Sequence, residues 1–93
     1  MDVRESIKNL IREALLGLGL DASVEVHLER PANSQHGDWS TNIALALAKK
    51  AELVPRDLAN EIKRVLEELY SEDISAIEVA GPGFINFYLN KSW

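Results

Sequence analysis

Phe84, Asn86 and Tyr88 stand at alternate positions in the run FINFYL near the end of the chain, and their types suit one kind of chemistry. In an extended strand, residues two apart share a face. Two aromatic rings flanking a carboxamide cover a solvent-facing surface poorly and hold a planar heterocycle well. A ring can stack on a nucleobase, while an asparagine amide offers its edge both a donor and an acceptor. Such stacking is worth roughly 1–3 kcal/mol per base and needs no net positive charge. The competing reading is structural, with Phe84 anchoring the preceding turn and Tyr88 covering the sheet edge. Spacing alone leaves both open.

A second group lies in the segment QHGDWSTN, residues 35–42. His36, Asp38 and Ser40 are the residue types of acid–base and nucleophilic catalysis. All three fall in one short loop, and nothing in the sequence orients the histidine against the serine. A capping Asp38 and a Trp39 that plugs the core account for the same letters, so no catalytic residue is expected. His36 has no helically spaced partner and His27 is expected to point outward from a strand, which leaves no metal site. Gly81-Pro82-Gly83 matches neither the Walker nor the Rossmann phosphate loop. Cysteine is absent, which removes disulfides, thiolate zinc sites and cysteine nucleophiles together.

The elements that must position these residues follow from periodicity. Val3, Ile7, Leu10, Ile11, Ala14, Leu15 and Leu18 step by three and four, the seam of a helix ended by Gly17 and Gly19. Arg4, Lys8 and Arg12 share a ridge away from that seam, read as a solvated face or as a phosphate-facing one. Residues 22–30 switch to period two, with Val24, Val26 and Leu28 alternating with Glu25, His27 and Glu29, which predicts a half-buried strand. Residues 31–42 are rich in turn formers and read as a loop, in which Asp38, Ser40 or Thr41 caps the next helix. That helix, about 43–53, is apolar on almost every side and so needs cover on several faces. Pro55 breaks it and opens another with Leu58, Ile62, Val65, Leu66 and Leu69 as its seam. Two strands follow, around Ile77–Val79 and over 84–89, either splayed or joined through a wide Gly-Pro-Gly loop. Ile85, Phe87 and Leu89 face the helices, which leaves Phe84, Asn86 and Tyr88 on an open face. The expected fold is α+β: a two-layer sandwich of three helices on one face of a small, mostly antiparallel sheet.

Ninety-three residues, 46% hydrophobic and 27% charged, make one globular domain spanning positions 1–93. No apolar run approaches the ~20 residues that span a bilayer, and the amino terminus is no signal peptide. The expected setting is the cytoplasm, with no membrane partner. Ten Lys and Arg against fifteen Asp and Glu give a net charge of −5. That excludes binding nucleic acid by blanket neutralisation of phosphates, DNA included. It does not exclude reading one or two splayed bases.

Two stretches together carry a resemblance: HGDWSTNIA at 36–44 and VAGPGFINF at 79–87. In this order and at this separation they resemble the amino-terminal additional domain of arginyl-tRNA synthetases, class I aminoacyl-tRNA synthetases. The likeness covers essentially the whole chain. It implies a tRNA-binding domain that touches the D-loop at the outer corner of tRNA-Arg. The family's contacting aromatic and amide fall on Phe84 and Asn86, and Tyr88 joins them as a lesser candidate. Many relatives carry tyrosine where Phe84 and Trp39 stand, changes that keep the ring. Gln35, His36 and Asp38 are placed near the site or at an interface with the rest of the parent protein. The resemblance also implies an ATP-dependent arginine–tRNA ligase as parent, using ATP with magnesium. The ATP and amino-acid motifs of such a parent are not in this chain, which stops at Lys91-Ser92-Trp93. It therefore reads as an excised domain, inactive alone, lacking the catalytic and anticodon-binding domains, with the catalytic domain as a partner. The alternative is a protein-docking module that uses the same aromatic strand face. A stand-alone hydrolase built on His36 is the third and remotest reading.

Overall fold

Asp2 starts the first helix by accepting a hydrogen bond from the Arg4 backbone N–H at 3.0 Å. The computed structural model describes residues 2–69 and 72–90, so the terminal Lys91-Ser92-Trp93 lies outside the described residues. Helix α1 (Val3–Gly17) buries Ile7, Ile11, Ala14 and Leu15 along the expected seam. Its end is closed by two reaching bonds, Gly19 N–H to the Leu16 carbonyl and Leu20 N–H to the Leu15 carbonyl. That pattern needs a left-handed residue just past the helix, and Gly19 supplies it at φ 72°. Gly17 stays within the last turn.

Helix α2 (Ile43–Ala51) is shorter than its apolar sequence suggests and is covered on one broad side only. Ile43, Ala44, Leu47 and Ala48 are buried, whereas Ala46 faces solvent. Alanine buries too little area to demand cover, which is why the all-round apolar pattern overstated the packing. Helix α3 (Pro55–Glu68) opens on proline at its first turn and buries Leu58, Ala59, Ile62 and Leu66. It packs on both long strands and against α1, while α2 packs against α3 and the central strand.

The sheet has three strands, β1 (Trp39–Thr41), β2 (Ile74–Ala80) and β3 (Phe84–Leu89), in the spatial order β1-β3-β2. Both pairings are antiparallel. The α+β two-layer architecture is therefore as the sequence implies, with three corrections. Residues 22–30 form no strand: they begin in a turn and bend at 22–24 and make one bridge, Glu29 to Ser40. Val26 and Leu28 are buried and Glu25, His27 and Glu29 exposed, so the period of two reports alternating burial. A ladder also needs a partner of comparable length, and β1 offers three residues. The second correction is β1 itself, drawn from a stretch read as loop. Its pairing to β3 recruits it. Third, the β2–β3 hairpin is neither splayed nor wide, since pairing runs to Ala80 opposite Phe84. A bond from Gly83 N–H to the Ala80 carbonyl at 3.3 Å closes the turn, with Gly81 at φ 55° at its first corner.

Phe87 and Ile85, both with no exposure, sit at the centre of the core. Among the described residues no helix is long and apolar enough to cross a membrane.

Candidate nucleic-acid interface

Register decides what stands beside Asn86. Ser40 pairs with it from β1 and Glu78 from β2, and Glu29 bridges to Ser40. Directly paired residues in antiparallel strands project to the same face. A polar row, Glu29–Ser40–Asn86–Glu78, thus crosses the face opposite the helices. Phe84 lies beside it at one end of β3 and Tyr88 at the other.

That face is not uniformly open, contrary to expectation. The segment 31–38 folds over the Tyr88 end, where the Tyr88 hydroxyl donates to the Gln35 carbonyl at 2.8 Å. Glu78 lies 3.5 Å from the same hydroxyl. Burial first, and the Glu78 carboxylate second, hold the Tyr88 phenol above its ordinary pKa. The Phe84 end stays clear, with that ring 39% exposed. Between them is a shallow cleft of about 390 Å³, walled by Phe84, Pro31 and Pro82 and bordered by Glu29, His36 and Ser40, with Asn86 in its lining. Asn86 is only 5% exposed, yet its side-chain amide bonds to no group among the described residues. No polar side-chain atom among the described residues is both buried and unpaired, so the Asn86 amide keeps contact with water in the cleft and can exchange that water for a ligand.

The surrounding backbone is tightly fixed. Asp38 caps no helix. Its N–H donates to the Phe87 carbonyl at 2.8 Å and its carboxylate accepts from the Leu89 N–H at 2.8 Å, which ties the loop's end to β3. The bond to the start of α2 comes from Thr41, whose hydroxyl accepts from the Ile43 N–H at 3.2 Å. Gly37, at φ 97°, rests against β3 so closely that a Cβ there would meet the Phe87 carbonyl oxygen at 2.7 Å. At the hairpin, Arg56 donates to the Gly81 carbonyl at 2.6 Å and Gly83 presses on Pro55. The turn that presents Phe84 is thereby pinned to the first turn of α3.

Gln35 and His36 are exposed in a single 3-10 turn, Ser34–His36, and His36 borders the cleft. No hydrogen bond joins the side chains of His36, Asp38 and Ser40 among the described residues, and Asp38 is spent on backbone. Trp39 plugs the core in part, packing against the core cluster while staying partly exposed. It is half-buried at the sheet edge, with the Arg30 guanidinium 4.7 Å and the Arg4 guanidinium 6.0 Å from its ring centroid. The basic ridge of α1 divides accordingly. Lys8 turns to Glu5 at 3.9 Å and Arg12 to Asn9 at 3.3 Å, while Arg4 leans to the tryptophan.

Sequence reasoning missed Glu29, Glu78 and Arg30 as neighbours of functional candidates. Glu78 was within reach of it: closing the hairpin at Ala80 and Phe84 sets Glu78 opposite Asn86.

The fold and cleft define a class: an α+β domain that presents, from the central strand of a small sheet, an aromatic ring and an amide with no partner among the described residues. The family model described as the arginyl tRNA synthetase N terminal domain matches residues 5–89. The chain belongs to that family. An arginine–tRNA ligase of Prosthecochloris aestuarii is 48% identical over 83 residues, 89% of this chain and 15% of that protein. One from Chlorobium phaeobacteroides is 44% identical over 92 residues, 98% of this chain and 16% of that protein. The solved arginyl-tRNA synthetase of Thermus thermophilus superposes with a TM-score of 0.82 at 26% identity, covering 98% of this chain and 14% of that one. That of Plasmodium falciparum, at 18% identity and a TM-score of 0.76, shares the fold. The chain spans 14–16% of the length of these proteins.

Proposed function

We propose that this domain reads the D-loop at the outer corner of tRNA-Arg, with Phe84 stacking on one splayed base and Asn86 bonding its edge. The observation that carries the reading is the Asn86 amide, which lines a cleft beside an exposed ring and bonds to no group among the described residues. A base that pairs with that amide takes the place of the water that solvates it in the free domain. Glu29 and Glu78 flank it with acceptors only, favouring a base edge that carries N–H groups. The bonds from Tyr88 to Gln35 and from Leu89 to Asp38 hold in place the loop whose Pro31, Ala32 and His36 line the cleft.

In this reading the domain serves an arginine–tRNA ligase of the cytoplasm, and its partners are tRNA-Arg and the catalytic domain of the same protein. The chain's own residues do not fit ATP or magnesium. Among the described residues no three His, Asp or Glu side chains cluster to hold a metal, and Glu29 at the cleft repels a triphosphate. Those ligands fall to the catalytic domain, and the domain alone forms no arginyl-tRNA.

The test is aminoacylation kinetics of the full-length ligase carrying Phe84→Ala. Efficiency toward tRNA should drop by the equivalent of roughly 1–3 kcal/mol, with the KM for ATP and for arginine unchanged. Unchanged efficiency toward tRNA refutes the stacking role. NMR shifts at residues 84–88 on adding a D-loop RNA support the base contact. Shifts produced only by the catalytic domain support protein docking instead.

A further inference from the structure

Trp39 and Ser40 are adjacent on the edge strand and project to opposite faces, Ser40 into the polar row of the Asn86 cleft and Trp39 toward the helix layer. On Trp39's side a second cleft, of about 480 Å³, is lined by Arg4, Arg30 and Trp39 with Asp2 and Asp38. Two acids and two arginines balance it formally, but neither carboxylate pairs with a guanidinium among the described residues. The Asp38 carboxylate accepts from the Leu89 N–H, and the Asp2 carboxylate accepts from the Arg4 backbone N–H. Both acids are occupied by main chain. The chain has five arginines. Arg12, Arg56 and Arg64 donate to groups inside the fold. The guanidiniums of Arg4 and Arg30 make no hydrogen bond or ion pair among the described residues, and both face the Trp39 ring.

We infer that Arg4, Arg30 and Trp39 form a second RNA contact, which holds the phosphates flanking the base bound at Phe84 and Asn86. The inference rests on that base-binding reading and extends it around the sheet edge. A guanidinium stacked on an aromatic ring is pre-organised with its N–H fork directed outward, and that fork matches phosphate oxygens in a bidentate way. Glu29 and Arg30, consecutive in the chain, border the two clefts in turn. A strand of RNA crossing this edge meets base-reading groups on one side and paired cations on the other. In a domain of net charge −5, two uncommitted arginines on one ring are a local phosphate site within a field that repels RNA elsewhere.

The experiment titrates the 93-residue chain carrying Trp93→Phe, so that Trp39 is the sole tryptophan and can be excited selectively over the two tyrosines, with a tRNA-Arg transcript at several salt concentrations. Binding should change Trp39 emission, and Arg30→Gln and Arg4→Gln should each flatten the slope of log affinity against log salt by about 0.7–0.9. Over a fourfold rise in salt that spares each variant roughly a threefold loss of affinity. Arg30→Lys keeps the charge and should keep the slope. Phe84→Ala should weaken binding and leave the slope as it was. If the chain binds, Phe84→Ala weakens it and the glutamine variants retain the parent slope, this second contact is refuted while the base contact stands. That result assigns the arginine pair to an acidic protein surface. If Phe84→Ala has no effect while the glutamine variants flatten the slope, the base reading falls and the phosphate contact survives. No binding by the parent chain at low salt overturns both.

Discussion

The Tyr88 hydroxyl donates to the Gln35 carbonyl at 2.8 Å, joining residues 53 positions apart. Through this bond the strand that supplies Phe84 and Asn86 also holds the loop that walls their cleft. Asp38 makes the second tie, to the Leu89 N–H. Loop and strand are thus set relative to one another by two side chains, and the cleft's shape depends on both.

Tyr88→Phe removes the first tie and keeps the ring. Amide exchange at His36, whose N–H bonds to the Asn33 carbonyl at 2.9 Å, should quicken, while exchange in the core helices should not change. High pH should mimic the substitution. The folded Tyr88 phenol holds its proton above the ordinary value of 10.0, owing to burial and then to Glu78. Its contribution to stability is complete below that value and is lost as pH rises through the higher folded one. Thermal midpoints across this range should fall more steeply for the parent than for Tyr88→Phe. Equal slopes would show that the phenol is not held in its neutral form.

Three glycines separate backbone strain from close approach. Gly19, at φ 72°, has nothing within 4 Å of where a Cβ would stand, so Gly19→Ala should cost only the left-handed penalty, about 1–2 kcal/mol. Gly83, at φ 154°, would place a Cβ 3.0–3.1 Å from three atoms of Pro55, and Gly37 would place one 2.7 Å from a backbone oxygen. Each adds a clash to the strain. Gly83→Ala and Gly37→Ala should cost roughly 2–4 kcal/mol, Gly37→Ala the most. Urea unfolding measures all three. A Gly37→Ala cost no greater than that of Gly19→Ala would mean that the loop yields and does not fix the cleft.

Glu52 is the one non-glycine residue with positive φ among those described, at 55°, just past α2. It places an acidic side chain beside a helix carboxyl end, where the dipole favours cations. Glu52→Gly removes both penalties and adds unfolded-chain entropy, for a net gain of about 0.5–1 kcal/mol. For a domain of this size, that should raise the thermal midpoint by several degrees. A lower midpoint would show that the Glu52 side chain makes a contribution larger than its strain.

What the sequence disclosed tracks the range of the forces involved. The helices were legible because their seams repeat over many turns, as from Val3 to Leu18. Gly19 was legible because its conformation is a local demand. The face of β3 was legible because FINFYL alternates without interruption. β1 was not, since three residues carry no period and Trp39, Ser40 and Thr41 become a strand only by pairing with β3. With β1 hidden, the neighbours of Asn86 across it were hidden too, and so was the meeting of Arg30 with Trp39. Residues 22–30 show the converse: a clear alternation of burial with almost no partner to pair with.

Asn86→Leu sets stability against function at one position. The residue is 5% exposed and its amide bonds to nothing described but is not sealed from water, so the fold gains no internal hydrogen bond from it. An apolar group of similar size removes no internal hydrogen bond and adds burial at the same place. Asn86→Leu should therefore unfold at the same denaturant concentration as the parent, or a higher one, with an unchanged m-value. Under the proposed function the same variant loses both hydrogen bonds to the base, and tRNA binding should weaken by roughly 1–3 kcal/mol. Ser40→Ala, on the next strand, serves as a control for general disturbance of the polar row. Opposite movement of stability and binding would identify Asn86 as a residue retained for its ligand. A loss of 2 kcal/mol or so in stability would instead mean that the amide supports the fold, since buried polar groups repay their desolvation only when satisfied. The base-reading role would then rest on Phe84 alone.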